Sequence, residues 1–169
     1  MSGGYGRSGS VLPLYTPASD GEQMEGKPQT SMTERLPRTV RYARILVGIQ
    51  IFRLIGLVFV IGLRNGTLPA AFVIPASTGD ALTAVTAPIV AFAMVKGGMK
   101  TWALALVWNA LGLADLLNAV SLGSLTGSTA NIVANYSFVF VGVTAAVLFH
   151  IAATALLVRK TTMDYFWAQ

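Results

Sequence analysis

The sequence predicts an all-α integral membrane protein, a four-transmembrane-helix bundle with both termini in the cytoplasm. Three observations predict it. Four apolar runs, residues 45–63, 79–95, 101–120 and 138–158, are 19, 17, 20 and 21 residues long, and a helix needs about 20 to cross roughly 30 Å of hydrocarbon. The chain is 54% apolar and 11% charged, whereas a soluble domain devotes about 25% to charge. Of its nineteen charged side chains, only Arg53, Arg64, Asp80, Lys96, Lys100 and Asp115 fall between residues 45 and 158. The runs lack the strict alternation of a membrane barrel and the polar outer stripe of a soluble helix bundle.

The net charge of +5 reflects topology rather than affinity for nucleic acid. Arg35, Arg38, Arg41 and Arg44 precede the first run, Lys96 and Lys100 flank the second connection, and Arg159 and Lys160 follow the last run. Arg64 alone falls on the other side. Positive residues gather on the cytoplasmic side of membrane proteins, and anionic lipid headgroups are the partner such clusters suit. A bacterial inner (cytoplasmic) membrane is the expected location. With no cysteine in the chain, disulfides and thiolate chemistry are excluded.

Residues 1–36, rich in Gly, Ser, Pro and Thr, read as a disordered cytoplasmic tail, and residues 37–160 as the four-helix domain. Pro37 suits the first turn of a helix that begins at the interface. The connection RNGTLPAAFVIPASTG is expected to be a loop that dips into the outer interface around residues 68–74. Asp80 then opens the second span, either as the helix N-cap or as an acid at an outer entrance. Pro88 should kink that span and free the carbonyl of Ala84. KGGMK is a tight cytoplasmic turn, and the third connection carries no charge. Residues 161–169 form a short cytoplasmic tail whose Tyr165, Phe166 and Trp167 suit an interfacial anchor.

An internal similarity links FRLIGL (52–57) to WNALGL (108–113), and VTAPIVAF (85–92) to VTAAVLFH (143–150), at offsets of 56 and 58 residues. It is compatible with two parallel-repeated helical hairpins in which Arg53 corresponds to Asn109. Chance is the competing explanation in so biased a composition.

A charge at mid-bilayer costs about 2.5–3.5 kcal/mol on insertion scales and therefore faces protein or water. Gln50, Arg53, Asn109 and His150 fall in one slab of the predicted bundle. Asp115 lies six residues beyond Asn109, about 9 Å further outward. Two arrangements follow. In one, Arg53 pairs with Asp115, which needs the first helix to slide outward by more than a turn or a bridging water. In the other, Arg53 bonds Asn109 and carbonyls while Asp115 turns to Tyr136, Asn118 or water. On the third helix, Gly112, Asp115 and Asn118 form a polar sector, and Gly112 permits close helix approach. Each of these groups also has a plain role in interhelical hydrogen bonding.

One histidine excludes bis-histidine haem and two-histidine zinc helices, and no metal site or phosphate loop is evident. The expected function is transport or binding of a small solute or proton at Arg53, Asp115, Asn109, His150, Gln50 and Asn118, with no catalytic residues and no cofactor. A homo-oligomer would complete the pathway, since four helices enclose little volume. The alternatives are an accessory subunit of a larger membrane complex and a lipid- or quinone-linked redox protein using His150, haem ligation included.

Overall fold

The computed structural model describes residues 36–168 together with Met1, Gly3 and Gly4; the expectation for the N-terminal tail lies outside the described residues. Four helices, Arg38–Arg64, Ala70–Ala93, Met99–Leu125 and Ser137–Leu157, are long and apolar enough to cross a membrane. At about 1.5 Å per residue the shortest is roughly 31 Å long. Two shorter helices, Ser128–Asn135 and Lys160–Trp167, complete the described fold. The first long helix packs on the second and fourth, and the third also packs on the second and fourth. Short connections make each helix antiparallel to the next, so the four form an up-down ring.

The basic residues Arg38, Arg41, Arg44, Lys96, Lys100, Arg159 and Lys160 mark one end of this ring, called here the basic end. There the turn between the second and third helices puts Gly97 and Gly98 at φ +69° and +86°, a conformation open to glycine and costly for most other residues. At the opposite end, Gly127 at φ +69° stops the third helix, the usual left-handed C-terminal stop. The long helices show their bulk outward: Leu82, Val85, Ile89, Phe92, Val107, Leu111 and Val141 are all more than half exposed.

The second helix corrects the sequence reading. It starts after Pro69, whose extended backbone (φ −77°, ψ 147°) ends the loop, while the Thr67 and Leu68 amides bond the Gly62 carbonyl. Residues 70–74 are therefore helical rather than an interfacial loop. Asp80 stands eleventh in the helix and cannot be its N-cap. Ser77, Thr78, Gly79 and Asp80 interrupt the apolar run without interrupting the helix; Ser77 and Asp80 face the bundle interior, where Asp80 meets Arg53.

The first helix changes pitch midway. From Leu36 to Val47 its buried residues, Leu36, Val40, Ala43 and Val47, follow the 3.6-residue period. From Ile49 to Val58 it is a 3-10 helix, and burial falls on every third residue: Val47, Gln50, Arg53, Gly56, Phe59 and Gly62. With three residues per turn, side chains three apart eclipse. Gln50, Arg53 and Gly56 thus stand in one line facing the ring's interior. Ten residues at about 2.0 Å instead of 1.5 Å also lengthen the helix by about 5 Å.

The C-terminal helix folds back on the basic end. Phe166 is fully buried against Leu36, Val40 and Leu157, and the Tyr165 hydroxyl donates to the Val95 carbonyl at 3.0 Å. Thr162 donates to Thr39 at 2.8 Å. Of the three aromatics read as an anchor, Trp167 alone is left mostly exposed. Partial burial holds the Tyr165 phenol above its ordinary pKa.

Candidate functional site

The site is built around Arg53, which is 3% exposed. Its Nε and Nη2 both approach Asp80 Oδ1, each at 2.7 Å. Nη2 also makes a short ion pair with Asp115 Oδ2, and Nη1 reaches the Gly112 carbonyl at 3.4 Å. One guanidinium therefore stands between carboxylates from the second and third helices. Of the two arrangements left open by the sequence, the direct Arg53–Asp115 pair is the one formed, and Asp80 joins it.

The three groups meet because their helices bring them to one level. Arg53 lies eleven residues from the far end of its helix at Arg64; Asp115 and Asp80 lie ten from Leu125 and Ala70. Counting from the edges of apolar runs hid this, since the first helix begins well before residue 45 and the third continues past residue 120.

Glycines make room for the acids. A side chain at Gly56 would overlap the Asp80 carboxylate, and one at Gly79 would overlap that of Asp115. Each acid rests on the backbone of the neighbouring helix, where no Cβ keeps it away. Gly79 was passed over in the sequence because it lies beside an acid it does not serve. Its value to Asp115 is visible only across the helix interface.

One layer toward the basic end, His150 Nδ1 lies 3.1 Å from Asn109 Oδ1. The Asn109 amide nitrogen donates to the Ala105 carbonyl at 2.8 Å, so Oδ1 is the acceptor and Nδ1 carries the proton. His150 Nε2 then presents a lone pair. It packs against Gly112, where any side chain would strike the ring, and among the described residues it accepts no hydrogen bond. Trp108 covers the imidazole at 5.4 Å between centroids and donates to Thr86 at 2.8 Å. Gln50 Nε2 donates to the Ala146 carbonyl at 3.2 Å, leaving Gln50 Oε1 unpartnered and buried. Two buried acceptors without donors thus lie in the layer beneath Arg53, and Ser77 Oγ is a third such atom on the second helix.

Arg53 and Asn109, at matching positions of FRLIGL and WNALGL, each bond a side chain from the following long helix, and Gly56 and Gly112 three residues on each receive that side chain. The likeness stops there. At the 58-residue offset His150 corresponds to Phe92, which is exposed at 65%. Asn109 does not bond Arg53. Asn118 is exposed and stands apart from both layers, because the third helix turns its buried face through Asn109, Gly112 and Leu116. Tyr136 does not meet Asp115 and packs edge-on against Phe59 at 6.0 Å.

Two pockets border the upper layer. A small one of about 10 Å³, enough for one water molecule, lies between the first and fourth helices at Arg53, Gly56, Asp80 and Gly142. A larger one of about 90 Å³ lies in the half away from the basic end. Its walls include Phe59, Phe72, Leu116, Ile132 and Val139, and Asp80 is its one ionisable lining residue. Val120, Ser124, Thr129 and Phe140 line it as well and are exposed, so it opens sideways between the third and fourth helices.

Residues 30–158 match the model of a family described as a domain of unknown function, DUF8737, and the chain belongs to that family. No curated protein and no solved structure matches it.

Proposed function

We propose that the protein crosses a membrane with its basic end and both termini in the cytoplasm, and that the Asp80–Arg53–Asp115 layer binds a proton or small solute in transit. The observation that carries this reading is the charge of the layer. One arginine faces two aspartates, so the fully ionised site holds one negative charge in excess. In hydrocarbon such a charge is strongly disfavoured, and a proton or a cationic group restores neutrality. A site that is neutral only when occupied is a binding site by its electrostatics.

The lower layer extends the path. Gln50 and His150 offer buried acceptors below Arg53, where a proton leaving the upper layer next meets polar atoms. A purely structural lock, as in an accessory subunit, gives no reason for Asp80 to border an open pocket. The exposed apolar flanks suit lipid or a second copy of the chain, and an oligomer would widen a path that four helices alone leave narrow.

The test is proton flux into proteoliposomes under an imposed membrane potential, followed with an enclosed pH-sensitive dye. Asp115→Asn and Asp80→Asn should each slow the flux by at least about tenfold, the effect of roughly 1.4 kcal/mol on a barrier. Flux equal to wild type in the double variant would overturn the reading.

A further inference from the structure

The larger pocket has a composition that selects its occupant. Aromatic and aliphatic side chains form most of its wall, and Asp80 is the one ionisable group among them. Both contacts from Arg53 fall on Asp80 Oδ1; among the described residues Oδ2 accepts no hydrogen bond. The side chain keeps 12% exposure on a wall of the pocket. The enclosed space is about 90 Å³, room for a short apolar chain, and its side opening leaves space for the rest of a longer one.

Chemistry narrows the ligand class. An anion would meet a layer that already carries excess negative charge. A bare metal ion would find one free carboxylate oxygen and the hydroxyls of Ser124 and Thr129, fewer than the six or so oxygen ligands that hard cations take. A neutral apolar molecule would fill the walls and leave the charge unbalanced. An ammonium group on an apolar body satisfies both, with a charge-assisted bond to the Asp80 carboxylate and hydrophobic contact elsewhere.

We propose that this pocket binds a protonated apolar amine, its ammonium on Asp80 and its body against Phe59, Phe72, Ile132 and Phe140, admitted through the gap between the third and fourth helices. The assignment rests on the function proposed above and names its substrate class. Asp80 is faced by Arg53 from the first helix and Asp115 from the third, while the fourth helix lines the pocket with Val139, Phe140 and Val143. One positive charge is therefore enough to neutralise the layer. The ammonium and the proton compete for the same carboxylate: as the amine binds, Asp80 releases its proton, and the charge of the layer is unchanged.

Three radiolabelled probes with one tail test this: octylamine, octanol and octanoate, added to the purified full chain in lipid nanodiscs and to empty discs. Octylamine should bind saturably above empty discs, and octanol and octanoate should not. Asp80→Asn should weaken octylamine binding by at least about tenfold. Gly123 lines the pocket, and a Cβ there meets its neighbours at 3.4 Å or more. Gly123→Leu should therefore extend into the pocket space and block binding; this variant decides the matter if Asp80→Asn does not fold. Leu111→Ala, on the exposed face, should bind as wild type.

Octanol binding as well as octylamine would make this an acyl-chain groove and overturn the proposal, as would octylamine binding indifferent to Asp80→Asn and Gly123→Leu. If octylamine fails to bind while proton flux still depends on Asp80 and Asp115, the substrate class falls and the broader reading stands. If the flux is indifferent to both acids, the broader reading falls with it.

Discussion

The two halves of the bundle use the same four helices and are filled in opposite ways. Toward the basic end, small residues let the helices close: Ala43, Ala91, Ala105 and Ala153 are buried, and a Cβ on Gly48 would sit 3.5 Å from that of Ala91. Met94, Leu157 and Phe166, all fully buried, fill what remains. Toward the other end, Phe59 and Phe72 pack edge-on at 5.1 Å, and the third and fourth helices leave a pocket open between them. The polar layers lie at the boundary, with the pocket beside Asp80 on one side and the close-packed core on the other, where a groove at Arg41, Arg44, Gly48 and Pro88 runs along the outside of the first and second helices. The difference teaches that access to a buried charge is set by the packing around it, while the charges themselves set only what would bind there.

The largest effect expected is from Arg53→Ala, which leaves two carboxylates facing each other without a counter-charge. Removing one partner of a buried ion pair costs about 3–5 kcal/mol. Thermal unfolding in detergent should show this loss, and adding Asp80→Asn with Asp115→Asn should recover much of it. No recovery would mean that Arg53 acts through packing rather than charge. Phe166→Ala should come next, at about 3 kcal/mol for a large aromatic removed from a close-packed site. Its readout is protease sensitivity at the basic end, and the amine pocket should be unaffected. Loss of octylamine binding in this variant would show that the two halves are coupled.

The smallest effect expected is from Tyr165→Phe, about 1 kcal/mol for one hydrogen bond. Here pH adds a check. The Tyr165 phenol is raised above its ordinary pKa of 10.0 by burial, so the folded state holds its proton where the unfolded chain has lost it. That contribution is complete below pH 10 and is lost as pH rises through the folded pKa. Docking of the C-terminal helix should therefore weaken at alkaline pH in the wild type, and this component should be absent in Tyr165→Phe. Identical alkaline profiles would break the link between Tyr165 and the docking of this helix.

Four long helices, their order and the basic end were legible in the sequence because apolar length and charge placement act locally. Arg53, Asp115, Asn109 and His150 were legible as buried groups for the same reason, since each interrupts an apolar run. Asp80 was visible and its role was not. An acid after Ser77, Thr78 and Gly79 looks like a helix start until Pro69 is seen to start the helix ten residues earlier. The every-third-residue line of Gln50, Arg53, Gly56 and Phe59 was also present in the letters. A uniform 3.6-residue period already sets Gln50 and Gly56 on the face of Arg53; bringing Phe59 into the same line takes the mixed pitch, which turns different residues inward.

The sequence by itself determined that this chain makes four long apolar helices and that a few charged groups must be buried among them, because burial and charge are properties of residues and runs. The tertiary structure alone decided which of those groups meet. Partner choice depends on the relative level of helices far apart in the chain and on glycines that let one helix receive another's side chain. Arg53 finds Asp80 and Asp115 because the three residues stand ten or eleven positions from the same end of the bundle, while Asn109 is left to His150. The open pocket beside Asp80 belongs to the same level of description, since a gap between helices is a property of their packing.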